Sequence, residues 1–138
     1  MREFPLKRKT DQDLLEGKSF PSFKMLSEEE VQEMLSISRL VKYQRGEALF
    51  LEGEVDPNVY FIVQGHLVLS KNGKVHAERR RRGDVIGSPS QASAEREESA
   101  HAKAETTCLA LDTSRFEDLD KESLLAFHYY FYRVNYPL

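Results

Sequence analysis

Ser99 and His101 could form a catalytic pair, because a serine hydroxyl beside an imidazole is the core of a nucleophilic triad. The two residues stand two apart in a segment of alternating residue types, which predicts a β-strand. On a strand both side chains point to the same face without facing each other. The sequence therefore predicts no catalytic residues, and we expect the chain not to be an enzyme.

The histidines and the single cysteine form no predicted metal site. No zinc-binding pair of the HExxH type is present among the four histidines, His66, His76, His101 and His128. Cys108 is alone, so it can form neither an intrachain disulfide nor a multi-cysteine metal site, and it is most simply a small buried hydrophobic residue. We expect no bound metal and a reducing, cytoplasmic location.

Four consecutive arginines, Arg79 to Arg82, could bind nucleic acid or an acidic partner. The whole chain argues against nucleic acid, because its formal net charge is −3 and its isoelectric point is about 5.8. No helix-turn-helix pattern follows the last predicted helix. The run is therefore interpreted as a solvated loop after a strand, and no nucleic-acid partner is expected.

The length and composition of the chain are those of one globular domain. It has 138 residues, of which 40% are hydrophobic and 31% are charged. The longest apolar run, Val59 to Val63, is far shorter than the roughly 20 residues that cross a bilayer, and residues 1–10 are too charged for a secretory signal. We expect neither a membrane span nor export.

Helices are predicted near both ends of the chain. Residues 1–17 are charged with little apolar pattern, which predicts an N-terminal arm with one helical turn and a disordered tip. Ser27 and Glu30 have the spacing of a capping box and predict a helix over 27–37. A second capping-box pattern, a further cap and a final proline predict helix over 114–135; these residues are Ser114 with Glu117, Asp120 and Pro137.

The middle of the chain consists of short β-branched and aromatic runs separated by turn residues, which is typical of an all-β roll, sandwich or barrel. Seven strands are predicted, at 40–43, 48–51, 59–63, 66–71, 74–79, 99–105 and 108–111. Asn72-Gly73 predicts a type I′ hairpin turn. Strict alternation in the sixth strand predicts that Ala100, Ala102 and Ala104 face inward and leave room beside them.

Five motifs stand in order along the chain: Phe20-Pro21-x-Phe23, Tyr43-x-x-Gly46-Glu47, Phe50-x-Glu52-Gly53-Glu54, Tyr60-Phe61-Ile62-Val63-x-Gly65 and Gly83-Asp84-x-Ile86-Gly87. This order resembles the cyclic nucleotide-binding domain family, shared by catabolite-activator-type bacterial regulators, protein kinase A regulatory subunits and cyclic-nucleotide-gated channels. The resemblance implies a mainly β fold with flanking helices, a jelly-roll-like β-roll over 18–135 with an N-terminal helix and C-terminal hinge helices. It also implies a short helix between strands, the phosphate-binding cassette.

The cassette of this chain departs from the family pattern. In that pattern the cassette glycine is followed by a glutamate for the ribose 2′-hydroxyl, and an arginine two residues before an inward alanine pairs with the cyclic phosphate. Here Ile86-Gly87 is followed by Ser88, which is too short to replace the carboxylate. Placing the three inward alanines on the family's small positions puts Glu98 where the arginine should be, and a carboxylate there would repel a phosphodiester.

A shift of the register by two residues is the alternative. It keeps the inward and outward parity of the strand and makes Arg96 the phosphate-binding arginine. It also places Glu98 on a small inward position beside the phosphate. The candidate ligand-binding residues are therefore Ile86, Gly87, Ser88, Arg96, Glu98, Ser99 and Ala100.

The last predicted helix carries two stripes of large side chains. One stripe, which is enough to close the roll, contains Leu124, Phe127, Phe131 and Val134. The other is either the rest of a broad core face or a partner surface, since tyrosine is enriched in interface anchors; it contains Leu125, Tyr129, Tyr132 and Tyr136. A homodimer or a partner protein bound through this second stripe is the expected association.

These features predict a non-enzymatic regulatory or sensor module of cyclic nucleotide-binding type that acts through its C-terminal helix. With Glu98 at the arginine position, cyclic AMP and cyclic GMP bind weakly or not at all, and no cofactor is expected. With Arg96 there, the chain is a cyclic nucleotide receptor. A DNA-binding regulator is a third interpretation, and it would need an output domain that this chain lacks, unless the chain is a fragment of a longer protein.

Overall fold

Nine strands and two α-helices make up the regular structure of the described residues. The structure is a computed structural model that describes residues 1–5, 20–91 and 93–137. The helices are α1 (Glu28–Ser36) and α2 (Lys121–Asn135), with short 3₁₀ helices at Pro21–Phe23, Pro89–Gln91 and Thr113–Asp118. The strands are β1 (Arg2–Pro5), β2 (Ser38–Tyr43), β3 (Ala48–Phe50), β4 (Asn58–Gln64), β5 (Leu67–Lys71), β6 (Lys74–Arg79), β7 (Val85–Ile86), β8 (Ser99–Ala102) and β9 (Thr106–Asp112). The predicted fold class, mainly β with flanking helices, is confirmed.

Within these ranges neither helix is long and apolar enough to cross a membrane.

The strands form two antiparallel sheets that share a core. Their orders are β1-β2-β9-β4-β7 in the first sheet and β3-β8-β5-β6 in the second. Successive side chains point to opposite faces of a strand. On β4, Tyr60 and Ile62 therefore point into the core between the sheets. Val59 and Phe61 point to the opposite face of the first sheet, which the helices cover and where Phe131 of α2 is fully buried.

The start of α1 follows the predicted capping box. The hydroxyl of Ser27 accepts from the backbone N–H of Glu30 at 3.1 Å, and Glu30 Oε1 accepts from the Ser27 N–H at 2.8 Å. The box satisfies N–H groups that helix starts leave without partners. α1 ends at Ser36, one residue before the predicted boundary, so the prediction of this helix is confirmed.

The second predicted capping box, at Ser114 and Glu117, is wrong. Asp112 occupies the cap position instead, because its carboxylate accepts from the backbone N–H of Ser114 at 3.0 Å. A 3₁₀ helix follows this cap, and α2 begins as a second helix after it. Asp120 caps α2 as predicted, accepting from the backbone N–H of Ser123 at 3.2 Å.

The N-terminal tip of the chain is a strand. β1 pairs antiparallel with β2, with Glu3 opposite Val41. The carboxylate of Glu3 also lies 3.3 Å from the guanidinium of Arg39. The prediction of a disordered tip is wrong, because backbone pairing with the edge of a sheet orders a segment that has no apolar pattern of its own. The predicted helical turn of the arm lies in 6–19, outside the described residues.

Six of the strands keep the predicted positions within about two residues at each end, and the hairpin is confirmed. Asn72 and Gly73 have φ of +53° and +79°, as a type I′ turn requires. The two-residue strand β7 was not predicted, because two apolar residues are too few to show alternation. It pairs with β4 and brings Ile86 opposite Tyr60, at the edge of the first sheet.

The strand predicted over 99–105 is shorter than expected. β8 ends at Ala102, whose backbone N–H donates to the carbonyl oxygen of Glu47 at 2.9 Å. The chain then bends, and Ala104 is exposed. The prediction that Ala104 faces inward is therefore wrong, whereas Ala100 and Ala102 lie in the core between the sheets.

Candidate functional site

A cavity of about 870 Å³ lies between the second sheet, the segments on either side of the cassette helix Pro89–Gln91, and the end of α2. Four of the seven candidate ligand-binding residues line it: Ile86, Gly87, Arg96 and Glu98. The other three lie outside its lining and are buried: Ser88, Ser99 and Ala100. The structure thus brings four of the predicted site residues together in one cavity.

Arg96 is a buried cation in the wall of this cavity. Its side chain is 7% exposed, and Nη2 donates to the carbonyl oxygens of Asp56 at 3.0 Å and Asn58 at 2.5 Å. The guanidinium carbon lies 4.2 Å from the centre of the Phe50 ring, a cation–π contact. Nε is buried and has no hydrogen-bond partner in the described chain. The guanidinium is therefore held firmly but is not fully satisfied.

A network of buried polar groups orients Asp56 beneath Arg96. The Tyr60 hydroxyl donates to Asp56 Oδ2 at 2.5 Å, and Asn58 Nδ2 donates to Asp56 Oδ1 at 2.7 Å. The Asp56 carboxylate lies 3.9 Å from Nη2 of Arg96. Burial, together with the neighbouring Tyr43 and Asp56, raises the pKa of Tyr60, so its hydroxyl stays protonated and donates. Sequence reasoning missed Phe50, Asp56 and Tyr60, because about 40 residues separate them from Arg96.

Gly87 makes the close approach of Arg96 feasible. A Cβ atom on Gly87 would lie 2.6 Å from Nη1 of Arg96, which is closer than a Cβ atom comes to a non-bonded atom in real structures. The backbone of Gly87 also has φ of +87°, which glycine adopts without the strain that a side chain brings. After it, Ser88 is 4% exposed and its hydroxyl lies 3.2 Å from that of Ser90. Ser88 is therefore engaged within the cassette and presents no carboxylate to the cavity.

The strand register places Arg96, not Glu98, beside the cassette glycine. β8 pairs with β5 so that Ala102 lies opposite Leu67 and Ala100 lies opposite Leu69. Ala104 is exposed, so the small inward positions of this segment are those of Ala100 and Ala102. Arg96, and not Glu98, lies against Gly87, where the register shifted by two would place it. That register stays a prediction.

Glu98 contacts a histidine of the second sheet. Its carboxylate lies 2.7 Å from Nε2 of His76 on β6, and both residues line the cavity. Sequence reasoning assigned no role to His76. Nothing in its local sequence links it to Glu98, because β5 lies between β6, which carries His76, and β8, which follows Glu98. Among the described residues no group of three or more histidine, cysteine or acidic side chains could hold a metal ion.

The arginine run contributes to the same cavity. Its interpretation from the sequence as a solvated loop included no role in a binding site. Arg79, Arg81 and Arg82 line the cavity, whereas Arg80 does not. Arg82 lies with its guanidinium carbon 5.0 Å from the Phe20 ring centre, and Nη1 donates to the carbonyl oxygen of Val63 at 3.3 Å.

The second stripe of α2 is divided by the fold. Leu125 and Tyr129 are 70% and 57% exposed, and Tyr136, which is 55% exposed, lines the cavity. Tyr132 is half-buried, and its hydroxyl accepts from the backbone N–H of Ser90 at 2.9 Å. Tyr132 therefore contacts the cassette, whereas Leu125 and Tyr129 lie on the exposed face of the helix. A partner surface on this helix stays a prediction.

Comparison with known proteins gives a family match and several similar folds. A family model described as "Cyclic nucleotide-binding domain" matches residues 40–123. No curated protein sequence matches the chain. A structure described as "Sp-2Cl-cAMPS bound to PKAR CBD2" has a TM-score of 0.68 at 24% identity and covers 82% of this chain and 76% of that one.

Two longer proteins also contain a similar fold. The catabolite activator protein of Thermus thermophilus has a TM-score of 0.67 at 25% identity, covering 80% of this chain and 54% of that protein. The regulatory domain of Toxoplasma gondii PKA, solved with cAMP, has a TM-score of 0.67 at 17% identity and covers 82% and 45%. The chain thus spans about half the length of each.

Proposed function

The chain belongs to the cyclic nucleotide-binding domain family, and from that premise we propose that it is a non-enzymatic regulatory module whose cavity binds the phosphate of a cyclic nucleotide through Arg96. The buried Nε of Arg96 is the observation that carries this proposal. A buried polar group without a partner is costly, and a guanidinium is the side chain best suited to pair with a phosphate. The neighbouring Gly87 has no side chain, so the guanidinium can lie directly against the cassette backbone.

Two features support weak binding of cyclic AMP and cyclic GMP. No carboxylate follows Gly87 to accept from the ribose hydroxyl, because Ser88 is buried and engaged with Ser90. A hydrogen bond to a charged group contributes about 1.5–3 kcal/mol, so its absence lowers affinity by roughly 10- to 100-fold. In addition, the Glu98 carboxylate in the cavity wall repels the phosphate, an effect that its partner His76 reduces.

The readout of this module is proposed to run from the cassette to α2. The hydrogen bond between the Ser90 N–H and the Tyr132 hydroxyl is a direct link between the two. A ligand that moves the cassette changes this contact and with it the position of α2. The exposed Leu125 and Tyr129 on the same helix are the proposed contact surface for a second copy or a partner protein.

Calorimetric titration with cyclic AMP and cyclic GMP tests the site. The wild type is expected to bind weakly, and Arg96→Ala is expected to lose at least tenfold in affinity. Because Arg96 is buried, each variant is first checked by its thermal melt. Glu98→Gln, which removes a negative charge and leaves Arg96 in place, is expected to tighten binding severalfold, whereas Glu117→Gln, outside the cavity lining, should not. Unchanged binding by folded Arg96→Ala, or no gain in Glu98→Gln, would overturn the proposal.

One observation favours a second function. Nη2 of Arg96 already has two carbonyl partners, and the guanidinium lies against Phe50, which is the environment of a structural arginine. In that case the chain is an adaptor that has lost cyclic nucleotide binding and acts only through its helix contacts. The titration separates the two functions, because an adaptor shows no binding heat with either nucleotide in the wild type or in Glu98→Gln.

A further inference from the structure

The cavity wall carries more cationic side chains than one phosphate requires. Besides Arg96, it contains Arg79 at the end of β6 and Arg81 in the loop that follows. Arg79 is half-buried and Arg81 is exposed. Arginine is the side chain that binds phosphate oxygens with two parallel hydrogen bonds. The site thus has a second cationic region in addition to the buried guanidinium.

The acidic residues of the cavity have their own partners or lie at its exposed edge. Asp84 Oδ2 accepts from the backbone N–H groups of Arg80 at 3.2 Å and Arg81 at 3.0 Å, so this carboxylate shapes the loop backbone. Glu98 pairs with His76 at 2.7 Å. The remaining acids of the lining, Glu95 and Glu97, are exposed, and water screens their charge.

The cavity has the size of a large small-molecule pocket. Pockets for small molecules span roughly 300–1,000 Å³, and the volume of about 870 Å³ lies in the upper part of that range. A cyclic mononucleotide has one phosphate, which Arg96 would bind. Such a ligand has no second phosphate to offer to Arg79 and Arg81.

We propose that the ligand of this cavity is a nucleotide with two phosphate groups, one bound by Arg96 and the other by Arg79 and Arg81. This inference rests on the proposed function, because it uses the same cavity and the same buried arginine. Two sources supply this chemistry: a cyclic dinucleotide, with both phosphates in one ring, and a nucleoside 3′,5′-bisphosphate. Both ligands present a second phosphate group, and Arg79 and Arg81 line the same cavity as Arg96.

Calorimetric titration of the full chain compares cyclic AMP, cyclic di-AMP and adenosine 3′,5′-bisphosphate under the same salt conditions. At least one ligand with two phosphates is expected to bind tenfold or more tightly than cyclic AMP. Arg81→Ala is expected to lower that affinity about tenfold. Arg80→Ala is the matched control, because it removes the same charge from the same loop at a position outside the cavity lining, and it should keep the wild-type affinity.

The outcomes separate this inference from the proposed function. Equal affinity for cyclic AMP and both two-phosphate ligands overturns the second phosphate site and leaves the role of Arg96 intact. An equal loss in Arg80→Ala and Arg81→Ala also overturns it, because the effect is then one of net charge. Failure of all three ligands to bind overturns both. Tight binding of a two-phosphate ligand that Arg81→Ala weakens supports the inference even where cyclic AMP binds too weakly to measure.

Discussion

Nη1 of Arg96 lies 2.6 Å from the point that a Cβ atom on Gly87 would occupy. The two residues are nine apart in the sequence, and the 3₁₀ helix of the cassette lies between them. Gly87 also has φ of +87°, so a side chain there would be strained by its own backbone as well as by the guanidinium. The absence of a side chain at Gly87 is therefore what allows the buried Arg96 guanidinium to lie against the cassette backbone.

The first prediction is that Gly87→Ala weakens phosphate binding as well as stability. The new methyl group meets the Arg96 guanidinium, which two carbonyl oxygens hold in place. We expect a loss of about 1–2 kcal/mol in the free energy of unfolding from the backbone term, and a loss of at least tenfold in ligand affinity. Gly46→Ala is the control, because Gly46 has φ of +90° with no atom within 4 Å of an added Cβ. It should lose stability alone, and an equal loss of affinity in both variants would contradict the prediction.

The second prediction concerns the link between the cassette and α2. Tyr132→Phe removes the hydroxyl that accepts from the Ser90 N–H at 2.9 Å. A hydrogen bond of this kind contributes about 0.5–1.5 kcal/mol, so exchange of the Ser90 amide hydrogen is expected to become up to about tenfold faster. Tyr129→Phe, which removes an exposed hydroxyl from the same helix, should leave that rate unchanged. Equal exchange rates in Tyr132→Phe and the wild type would show that the contact does not hold the cassette.

The third prediction concerns the reactivity of Cys108. Burial raises the pKa of this thiol from about 9 to about 12. The thiolate is the reactive form, so at pH 8 the buried thiol of the folded chain is almost entirely protonated and unreactive. We expect a thiol reagent to label the native protein only as fast as it unfolds, and to label it completely within minutes in denaturant. Rapid labelling of the native chain would mean that the core between the sheets opens locally.

The fourth prediction concerns association through the exposed face of α2. Leu125→Ala with Tyr129→Ala is expected to shift a dimer toward monomer, because large apolar and aromatic side chains dominate interface energies, at about 2 kcal/mol or more. The pair avoids Tyr132, whose loss would also disturb the cassette. Sedimentation velocity at several concentrations measures the change. A wild-type chain that sediments as a monomer at every concentration would contradict a homodimer and leave the partner protein.

Helix caps and turns could be predicted from the sequence because the residues that form them lie within a few positions of each other. The Ser27 and Glu30 capping box joins groups three residues apart, and both members appear in the pattern. The turn at Asn72-Gly73 depends on two adjacent residues that tolerate positive φ. The predicted box at Ser114 is wrong because Asp112, two residues earlier, is a competing cap of equal quality.

Arg96 shows what a sequence pattern cannot decide. Alternating side chains repeat every two residues, so Ala100, Ala102 and Ala104 fit equally well with the strand shifted by two. Parity alone therefore cannot say whether Arg96 or Glu98 lies beside Gly87.

The sequence by itself determined the fold class, seven of the nine strands of the described residues, and the helices capped by Ser27 and Asp120. The tertiary structure decided the register, because β8 must place Ala102 opposite Leu67 of β5 and end where the chain bends before Ala104. It also decided the surroundings of Arg96, whose carbonyl partners lie 38 and 40 residues away. Pairing and burial between distant strands select one register among those of equal parity, and no local pattern contains that information.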